Sequence, residues 1–211
     1  MHAYASDSLD RRIVPWVIAV TAVGIAYFYA VVTEAVGWSL PWWCEVPSIL
    51  GVYGLLYWVY DSWGWKWAPC GLRLSQIPDC GGTWYGEINS THAGGTKGEG
   101  MLIVHQTWMR ILLEFRTDSS GSFSRMAAMN VRPGPSQGLI YEYANEPRAT
   151  ATGTMHAHRG FTFLKLSADG EWLEGDYYSG RDRAKQGTLR LRRVSRRPLG
   201  LAQAKRAFPG T

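Results

Sequence analysis

Polar and aromatic side chains recur at alternate positions of three predicted strands in the second half of the chain. The members of these sets are Gln106, Trp108, Tyr141, Tyr143, Asn145, Tyr177 and, just past the last strand, Arg181. Because successive side chains of a strand point to opposite faces, each set shares one face. A core built for stability alone favours Val, Leu and Ile, and buried Tyr, Gln and Asn need hydrogen-bond partners. The pattern therefore predicts a cavity for a polar ligand, unless these groups satisfy one another or face outward.

Motifs typical of catalysis are scarce in the chain. The phosphate-binding pattern Gly-x-x-x-x-Gly-Lys and the dinucleotide pattern Gly-x-Gly-x-x-Gly are missing. The nucleophile pattern Gly-x-Ser-x-Gly occurs at residues 134–138, but between two predicted strands and not at the strand-to-helix turn that this pattern requires. His156 and His158 are two positions apart on one predicted strand, but no acid or third His has a fixed spacing to them. Glu174 and Asp176 alternate with the Tyr177 face and are typical of a solvated face. We therefore expect no enzyme, no catalytic or metal site and no cofactor.

Short runs of β-branched and aromatic residues, separated by turn signals such as Asp169-Gly170, fill the chain from residue 82 onward. They predict strands near 83–88, 101–107, 110–117, 122–131, 139–145, 150–158, 162–167, 173–179 and 188–194. No segment between them has room for a crossover helix, which excludes a parallel sheet. Eight or nine such strands favour a sandwich or a small eight-stranded antiparallel up-and-down β-barrel, whose interior has room for one small ligand.

Two uncharged runs in the first third have the composition of membrane spans. Residues 13–33 form a run of 21, long enough as a helix to cross ~30 Å of hydrocarbon. Residues 46–60 form a run of 15, which needs its flanking Trp residues to span. Eight of the 11 Trp lie between positions 16 and 67, as expected of side chains at a membrane interface. Two N-terminal transmembrane helices, an α hairpin, are predicted; a cleaved signal peptide and a buried hairpin of a soluble protein are the alternatives.

Charge predicts how such a hairpin is oriented. The segment 34–45 has no Lys or Arg, whereas Arg11 and Arg12 precede the first run and Lys66 and Arg73 follow the second. The positive-inside rule then predicts a multi-pass membrane protein whose two termini and barrel lie in the cytoplasm. Residues 181–211 carry a net charge of +9, and the rest of the chain is slightly acidic. DNA or RNA is therefore not expected as a partner, and the basic end is either solvated or close to anionic lipid.

These patterns divide the chain into five segments. We expect a cytoplasmic N-terminus (1–12), a two-helix transmembrane hairpin (13–67), a linker (68–81), a β-barrel that binds ligand (82–195) and a basic C-terminal tail (196–211).

The order of motifs after the hairpin resembles that of the SMODS-associating two-transmembrane, β-strand-rich effectors of bacterial CBASS antiphage systems. The motifs that carry the resemblance are Gly82-Thr-Trp84-Tyr-Gly86, Gln106-Thr-Trp108, Ser122-Phe-Ser124, Leu139-Ile-Tyr141-Glu-Tyr143-Ala-Asn145-Glu-Pro147, His158-Arg-Gly160, and Leu173-Glu-Gly175-Asp-Tyr177 leading to Arg181 and Gly187. The resemblance covers roughly residues 10–195, and the basic extension after Val194 departs from the pattern.

The resemblance implies a barrel that binds a cyclic dinucleotide made by a cyclic-oligonucleotide synthase during infection. Binding would drive homo-oligomer formation, and the clustered hairpins would disrupt the lipid bilayer and kill the cell. It adds Ser124 and His158 to the expected ligand-binding residues. Tyr and Trp would stack on bases, Arg181 would pair with a phosphate, and Asn145 or Gln106 would contact a base edge.

Two other functions remain compatible with the sequence. A membrane-tethered, lipocalin-like carrier of an apolar ligand predicts a mostly aliphatic interior. A membrane-anchored scaffold with no small ligand predicts that alanine at Tyr141, Tyr143 or Arg181 leaves function intact, whereas changes on the surface abolish it.

Overall fold

The computed structural model describes residues 1–37, 49–69, 73–91, 95–135, 137–147, 158–180 and 186–208. The chain forms two compact units, one of residues Ser8–Gln76 and the other of residues Met1–Asp7 together with Ile77–Thr211. The first is helical and the second contains the β-structure.

The helical unit contains α1 (Asp10–Val36), α2 (Ile49–Ser62) and a 3-10 turn at Gly64–Lys66. Helix α1 ends at Gly37, whose φ of 67° is the left-handed conformation that glycine adopts at low cost. Its buried residues Ile18, Ala22 and Ala26 recur every four positions and so share one face.

Among the described helices, α1 is the one that is long and apolar enough to cross a membrane. Its 27 residues make a helix about 40 Å long. Helix α2 has 14 described residues, about 21 Å, and contacts α1. Residues 38–48, which hold the start of the second uncharged run, lie outside the described residues. The second membrane span therefore stays a prediction.

The second unit is built around an eight-stranded antiparallel barrel, as predicted. Two short N-terminal strands, β1 (His2–Ala3) and β2 (Ala5–Ser6), precede the eight. The barrel strands are β3 (Gly82–Ser90), β4 (Thr96–Gln106), β5 (Arg110–Arg116), β6 (Ser120–Asn130), β7 (Gly138–Pro147), β8 (His158–Leu166), β9 (Trp172–Ser179) and β10 (Gln186–Ser195). Each pairs with the next, and β10 closes on β3. Residues 150–157 of the predicted strand 150–158 lie outside the described residues, and His158 begins β8.

The interior of the barrel differs between its two ends. At the end where β3 begins and β10 finishes, large apolar side chains are fully buried: Trp84, Leu102, Leu164, Leu173 and Leu191. Trp84 pairs with Leu102, and Leu164 pairs with Gly175, so these positions share one face of the sheet. That face is the inner one, and at the opposite end of the barrel it carries the other interior side chains. We call the packed end the closed end and the other the open end.

Two parts of the chain expected to lie outside the barrel join it. Residues 1–7 add β1 to β5 and β2 to β6. In the basic tail, helix α3 (Leu201–Ala207) buries Ala204 against Tyr85, Met101 and Ile103 on the outer face of β3 and β4. Part of the region predicted as a solvated or lipid-bound end is therefore held against the barrel.

Candidate functional site

The open end of the barrel contains a cavity of about 170 Å³ that opens to solvent. Residues from seven of the eight strands and the turn after β5 line it: Ile88, Phe115, Thr117, Ser120, Ser122, Tyr141, Tyr143, Asn145, Thr162, Tyr177 and Leu189. Eight of these eleven described side chains carry a polar atom, so the wall is not the mostly aliphatic one that a carrier of apolar ligands would need.

Four of the residues predicted from the sequence come together here. Tyr141, Tyr143 and Asn145 follow one another on the inner face of β7, and Tyr177 lies on β9. Register explains the meeting, because Thr162 of β8 pairs with both Tyr141 and Tyr177. These four line the cavity, and their role in ligand binding stays a prediction.

Seven lining residues were not predicted. Thr162 lies between two predicted tyrosines, and Ser122 pairs with Asn145 on one side and with Phe115 on the other. The motif that contains Ser122 could have identified some of these residues, in combination with the rule that side chains at paired positions point to the same face. Using that rule requires the register between strands, which alternation within a single strand does not give.

Burial raises the pKa of two of the cavity tyrosines, Tyr141 and Tyr143. Burial raises the pKa of Tyr141 well above its ordinary value, although a hydrogen bond with Thr162 partly opposes the shift. Burial, together with the neighbouring Tyr177, raises the pKa of Tyr143 to about 12. At neutral pH each group is therefore an uncharged hydroxyl that can both donate and accept a hydrogen bond.

The described wall of the cavity has no ionisable group other than its tyrosines. It contains no Lys, Arg, Asp, Glu or His. Nor do the described residues bring three His, Cys, Asp or Glu side chains together in a group that could hold a metal ion. The wall thus offers stacking surfaces, hydroxyls and one amide.

Glycines on the inner wall leave room for the rings. A Cβ added at Gly160 would lie 2.5 Å from Cζ of Tyr143, and one at Gly187 would lie 2.6 Å from Cε1 of Tyr177. Contacts this short exclude any larger residue unless the ring or the backbone moves. The two tyrosine rings therefore occupy space left by the missing side chains of neighbouring strands.

Three other predicted residues are buried away from the cavity. Gln106 accepts a hydrogen bond from the backbone N–H of Cys80 at 2.8 Å and donates one to the carbonyl of Pro78 at 3.1 Å. Trp108 is fully buried just after the end of β4. Ser124 accepts a hydrogen bond from the Leu113 N–H at 3.0 Å and contacts His2 Nε2 at 2.8 Å. Their surroundings are protein groups of the closed end and of the boundary between β5 and β6.

The last two predicted residues are placed only in part. The backbone of His158 pairs with Asn145, which puts the residue at the open end of β8, and its side chain is not described. Arg181 lies outside the described residues, two positions beyond the end of β9.

A charged side chain that the sequence analysis did not single out closes the other end. Arg193 lies over the Trp84 ring, 4.3 Å from its centroid, and donates to the carbonyls of Asp79 at 2.8 Å and Gly81 at 3.1 Å. Trp84 Nε1 donates to the Cys80 carbonyl at 2.9 Å. Together with Gln106, these contacts fix the segment that enters β3.

Comparison with known proteins agrees with this architecture. Residues 75–193 match the family described as Cap15, cyclic dinucleotide receptor domain. The chain is also 32% identical to CD-NTase-associated protein 15 of Yersinia aleksiciae. The similarity extends over 146 residues, which make up 68% of each protein. The family match covers β3 to β9 completely, β10 as far as Arg193, and every described residue of the cavity wall. The chain therefore belongs to the family of the Cap15 cyclic dinucleotide receptor domain.

Proposed function

We propose that this protein is an effector of CBASS antiphage defence whose barrel binds a cyclic dinucleotide in the cavity at its open end. The name of the matched family and the similarity to a CD-NTase-associated protein support this assignment. The observation that carries it is the cavity wall, where three tyrosines, one amide and four hydroxyl-bearing Ser and Thr residues surround a space open to solvent.

The chemistry of this wall suits the nucleoside parts of a cyclic dinucleotide. Base stacking on an aromatic ring is worth ~1–3 kcal/mol, and Tyr143 and Tyr177 offer rings at the cavity. The Asn145 amide has both donors and an acceptor for a base edge. The phosphates need a cation that the described wall lacks. In this proposal Arg181, two positions beyond β9, supplies it by a charge-assisted hydrogen bond.

The membrane part of the proposal follows from the apolar helix. Helix α1 and the second uncharged run form a hairpin in the bacterial inner membrane, with both termini and the barrel in the cytoplasm. Cyclic dinucleotide binding favours a homo-oligomer, because a ligand shifts an equilibrium toward the state that it binds more tightly. Because the second run is shorter than the hydrocarbon is thick, the bilayer thins around the assembled hairpins. This thinning disrupts the membrane and causes abortive infection.

The test is thermal unfolding of the full chain in detergent with cyclic di-AMP, cyclic di-GMP and cyclic GMP-AMP, followed by sizing with any compound that shifts the transition. A compound at 100 times its Kd adds ~2.7 kcal/mol to the free energy of unfolding, a rise of several degrees for a domain of this size. One selective shift, accompanied by a larger particle, is the expected result.

A matched pair of variants locates the binding site. Tyr177 lines the cavity, while its neighbour Tyr178 is 52% exposed on the outer face of the same strand. Tyr177→Ala should weaken binding at least about fivefold because it removes a stacking surface, and Tyr178→Ala should leave the Kd within about twofold. Equal effects of the two variants, or no shift with any cyclic nucleotide, would count against the proposal and favour the carrier or scaffold function.

A further inference from the structure

The barrel has one incomplete seam, between β5 and β6. These strands pair at only three positions, Glu114 with Phe123, Phe115 with Ser122 and Arg116 with Gly121, all at the open end. By contrast, β6 and β7 pair along their whole length, from Ser120 with Pro147 to Asn130 with Gly138. Toward the closed end the facing edges of β5 and β6 therefore need other partners for their backbone groups.

The N-terminal segment supplies those partners. His2 and Ala3 pair antiparallel with β5 at Ile111 and Arg110. Ala5 and Ser6 pair in parallel with β6 at Ala128 and Met129. Residues 1–7, which we call the clasp, thus bridge the two strands where they no longer bridge each other.

Side chains anchor the clasp at three points. The hydroxyl of Ser124 contacts both His2 Nε2 and the Leu113 N–H, so that one group joins β1, β5 and β6. Tyr4 is buried, at 3% exposure, and its hydroxyl lies 3.4 Å from the Thr107 carbonyl. The carboxylate of Asp7 accepts hydrogen bonds from the backbone N–H groups that follow β6, the shorter one from Val131 at 2.7 Å.

The cavity is built on the same seam. Phe115 and Thr117 line it from the β5 side, and Ser120 and Ser122 line it from the β6 side. A molecule that contacts both sides holds the open end of the seam together, as the clasp holds the rest. Two closures of one seam stabilise each other, because opening either one strains the pairing that the other depends on.

We propose that clasp docking and cavity occupancy are thermodynamically coupled: a cyclic dinucleotide in the cavity stabilises the clasp, and loss of the clasp weakens binding by the same factor. The coupling rests on the proposed function, and linkage makes it reciprocal. Only Ser8 and Leu9 separate the clasp from α1, so the segment that closes the seam is also the covalent connection to the apolar helix.

The test uses the full chain in detergent, with hydrogen exchange measured at backbone amides of residues 113–116 and 121–124. Asp7→Ala removes the acceptor for Val131, and His2→Ala, a milder variant, removes the contact with Ser124. Asp169→Ala is the matched control, because Asp169 also accepts a backbone N–H, from Glu171 at 2.9 Å, but in the turn between β8 and β9. Both clasp variants should speed exchange at the seam, and the control should not.

The second part of the test adds each of the three cyclic dinucleotides named above. We expect the compound that stabilises the wild type to slow exchange at the clasp, and to bind Asp7→Ala about fivefold more weakly. Unchanged seam exchange in both clasp variants, or a wild-type Kd in a variant whose clasp has been released, would overturn the coupling. If no compound binds the wild type, the proposed function fails, while the exchange rates without nucleotide still decide whether the clasp closes the seam.

Discussion

At the scale of single residues, glycine and tyrosine share the inner wall of the cavity. The space beside Gly160 holds the Tyr143 ring, and the space beside Gly187 holds the Tyr177 ring. Gly100 has the same relation to two apolar residues, since an added Cβ would lie 2.5 Å from Cζ of Phe115 and 2.8 Å from Cδ1 of Ile88. The glycines thus determine how far each ring can lie back from the cavity.

Gly100→Ala should therefore narrow the cavity. Its new methyl group meets only the ends of the Phe115 and Ile88 side chains, which must turn toward the cavity that they line. We expect cyclic dinucleotide affinity to fall about tenfold, ~1.4 kcal/mol, as measured by titration calorimetry. Gly98→Ala is the control, because Gly98 is two positions away on the same strand and an added Cβ meets nothing within 4 Å. If both variants bind like the wild type, Phe115 does not shape the site.

The buried tyrosine hydroxyls allow a second test at this scale. Tyr141 is 3% exposed and interacts with Thr162 at the base of the cavity. Tyr141→Phe keeps the ring and leaves Thr162 without that partner, so we expect a loss of about 1 kcal/mol in the free energy of unfolding. Chemical denaturation measures the loss. Thr162→Val removes the other partner, so it should lower the free energy of unfolding about as much as the double variant Tyr141→Phe/Thr162→Val does. If the losses of the two single variants simply add in the double variant, the two groups do not interact.

Sequence patterns predicted some of the residues that line the cavity and misplaced others. Alternation along residues 139–145 correctly placed Tyr141, Tyr143 and Asn145 on one face. The same reasoning grouped Gln106 and Trp108 with them, because a face extends along the whole strand and alternation does not say which end is hollow. Which end is hollow depends on the packing of Trp84, Leu102 and the leucines around them, and only the assembled barrel defines that packing.

At the scale of elements, α3 is the clearest departure from expectation. It is seven residues long, and its packing comes from Ala204 against Tyr85, Met101 and Ile103. Phe208 contacts the Tyr85 ring with centroids 5.5 Å apart, and Lys205 lies 3.2 Å from the Glu99 carboxylate. Hydrogen bonds from Tyr85 and from Lys205 hold the pKa of Glu99 below its ordinary value.

A pair of alanines in α3 tests whether this contact stabilises the barrel. Ala204 is fully buried and Ala202 is exposed on the same helix. Ala204→Asp should lower the free energy of unfolding by about 2 kcal/mol, because a carboxylate has no partner in that apolar cluster. Ala202→Asp should lie within about 0.5 kcal/mol of the wild type. Matching transitions for the two variants in chemical denaturation would mean that α3 does not stabilise the fold.

Acid should weaken the clasp through Asp7. Hydrogen bonds from the backbone, that of Val131 above all, hold the pKa of Asp7 below its ordinary value of 3.8. A carboxylate with a lowered pKa stabilises the fold fully above its ordinary pKa, the value in the unfolded chain, and this contribution is lost as pH falls through the folded pKa. The stability difference between wild type and Asp7→Ala should be constant from about pH 7 to pH 5 and shrink below pH 4. A difference that persists to pH 2 would contradict this assignment.

The strands were predictable and the clasp was not, for a physical reason. Strands of seven to eleven residues carry alternation and turn signals that identify them without their partners. The strands β1 and β2 have two residues each, too few to show any period, and they form because β5 and β6 leave edges for them. Helix α3 similarly depends on the outer face of β3 and β4 rather than on its own pattern.

At the scale of the whole molecule, the two ends of the barrel differ in what they carry. The chain connects with the helical unit after residue 7 and before residue 77. Both connections are at the closed end, where Asp7 is hydrogen-bonded beyond the end of β6 and where Gln106 and Arg193 hold residues 78–81. The cavity lies at the opposite end of the barrel.

The cysteines of the chain allow a test of membrane topology. The predicted hairpin places Cys44 on the periplasmic side of the inner membrane and Cys70 in the cytoplasm. Cys80 is fully buried in the barrel, and burial raises the pKa of its thiol to about 12, which makes it unreactive. In intact cells, a membrane-impermeant maleimide should therefore label the wild-type protein and the Cys70→Ser variant, and should not label the Cys44→Ser variant. Labelling that disappears with Cys70→Ser instead would reverse the orientation.

At the open end, the chain passes from each strand to the neighbour with which that strand pairs. These connections follow β3, β5, β7 and β9, and each joins two neighbours that are already paired or aligned. The length of such a loop has little effect on stability, since doubling it costs only ~0.6 kcal/mol. A change of length in the connection after β5, which carries Thr117 and leads to Ser120, alters the cavity wall and leaves the residues that join the barrel to α1 unchanged. In the proposed function, such a change alters which cyclic dinucleotide the barrel binds, while the covalent connection to the apolar helix stays the same.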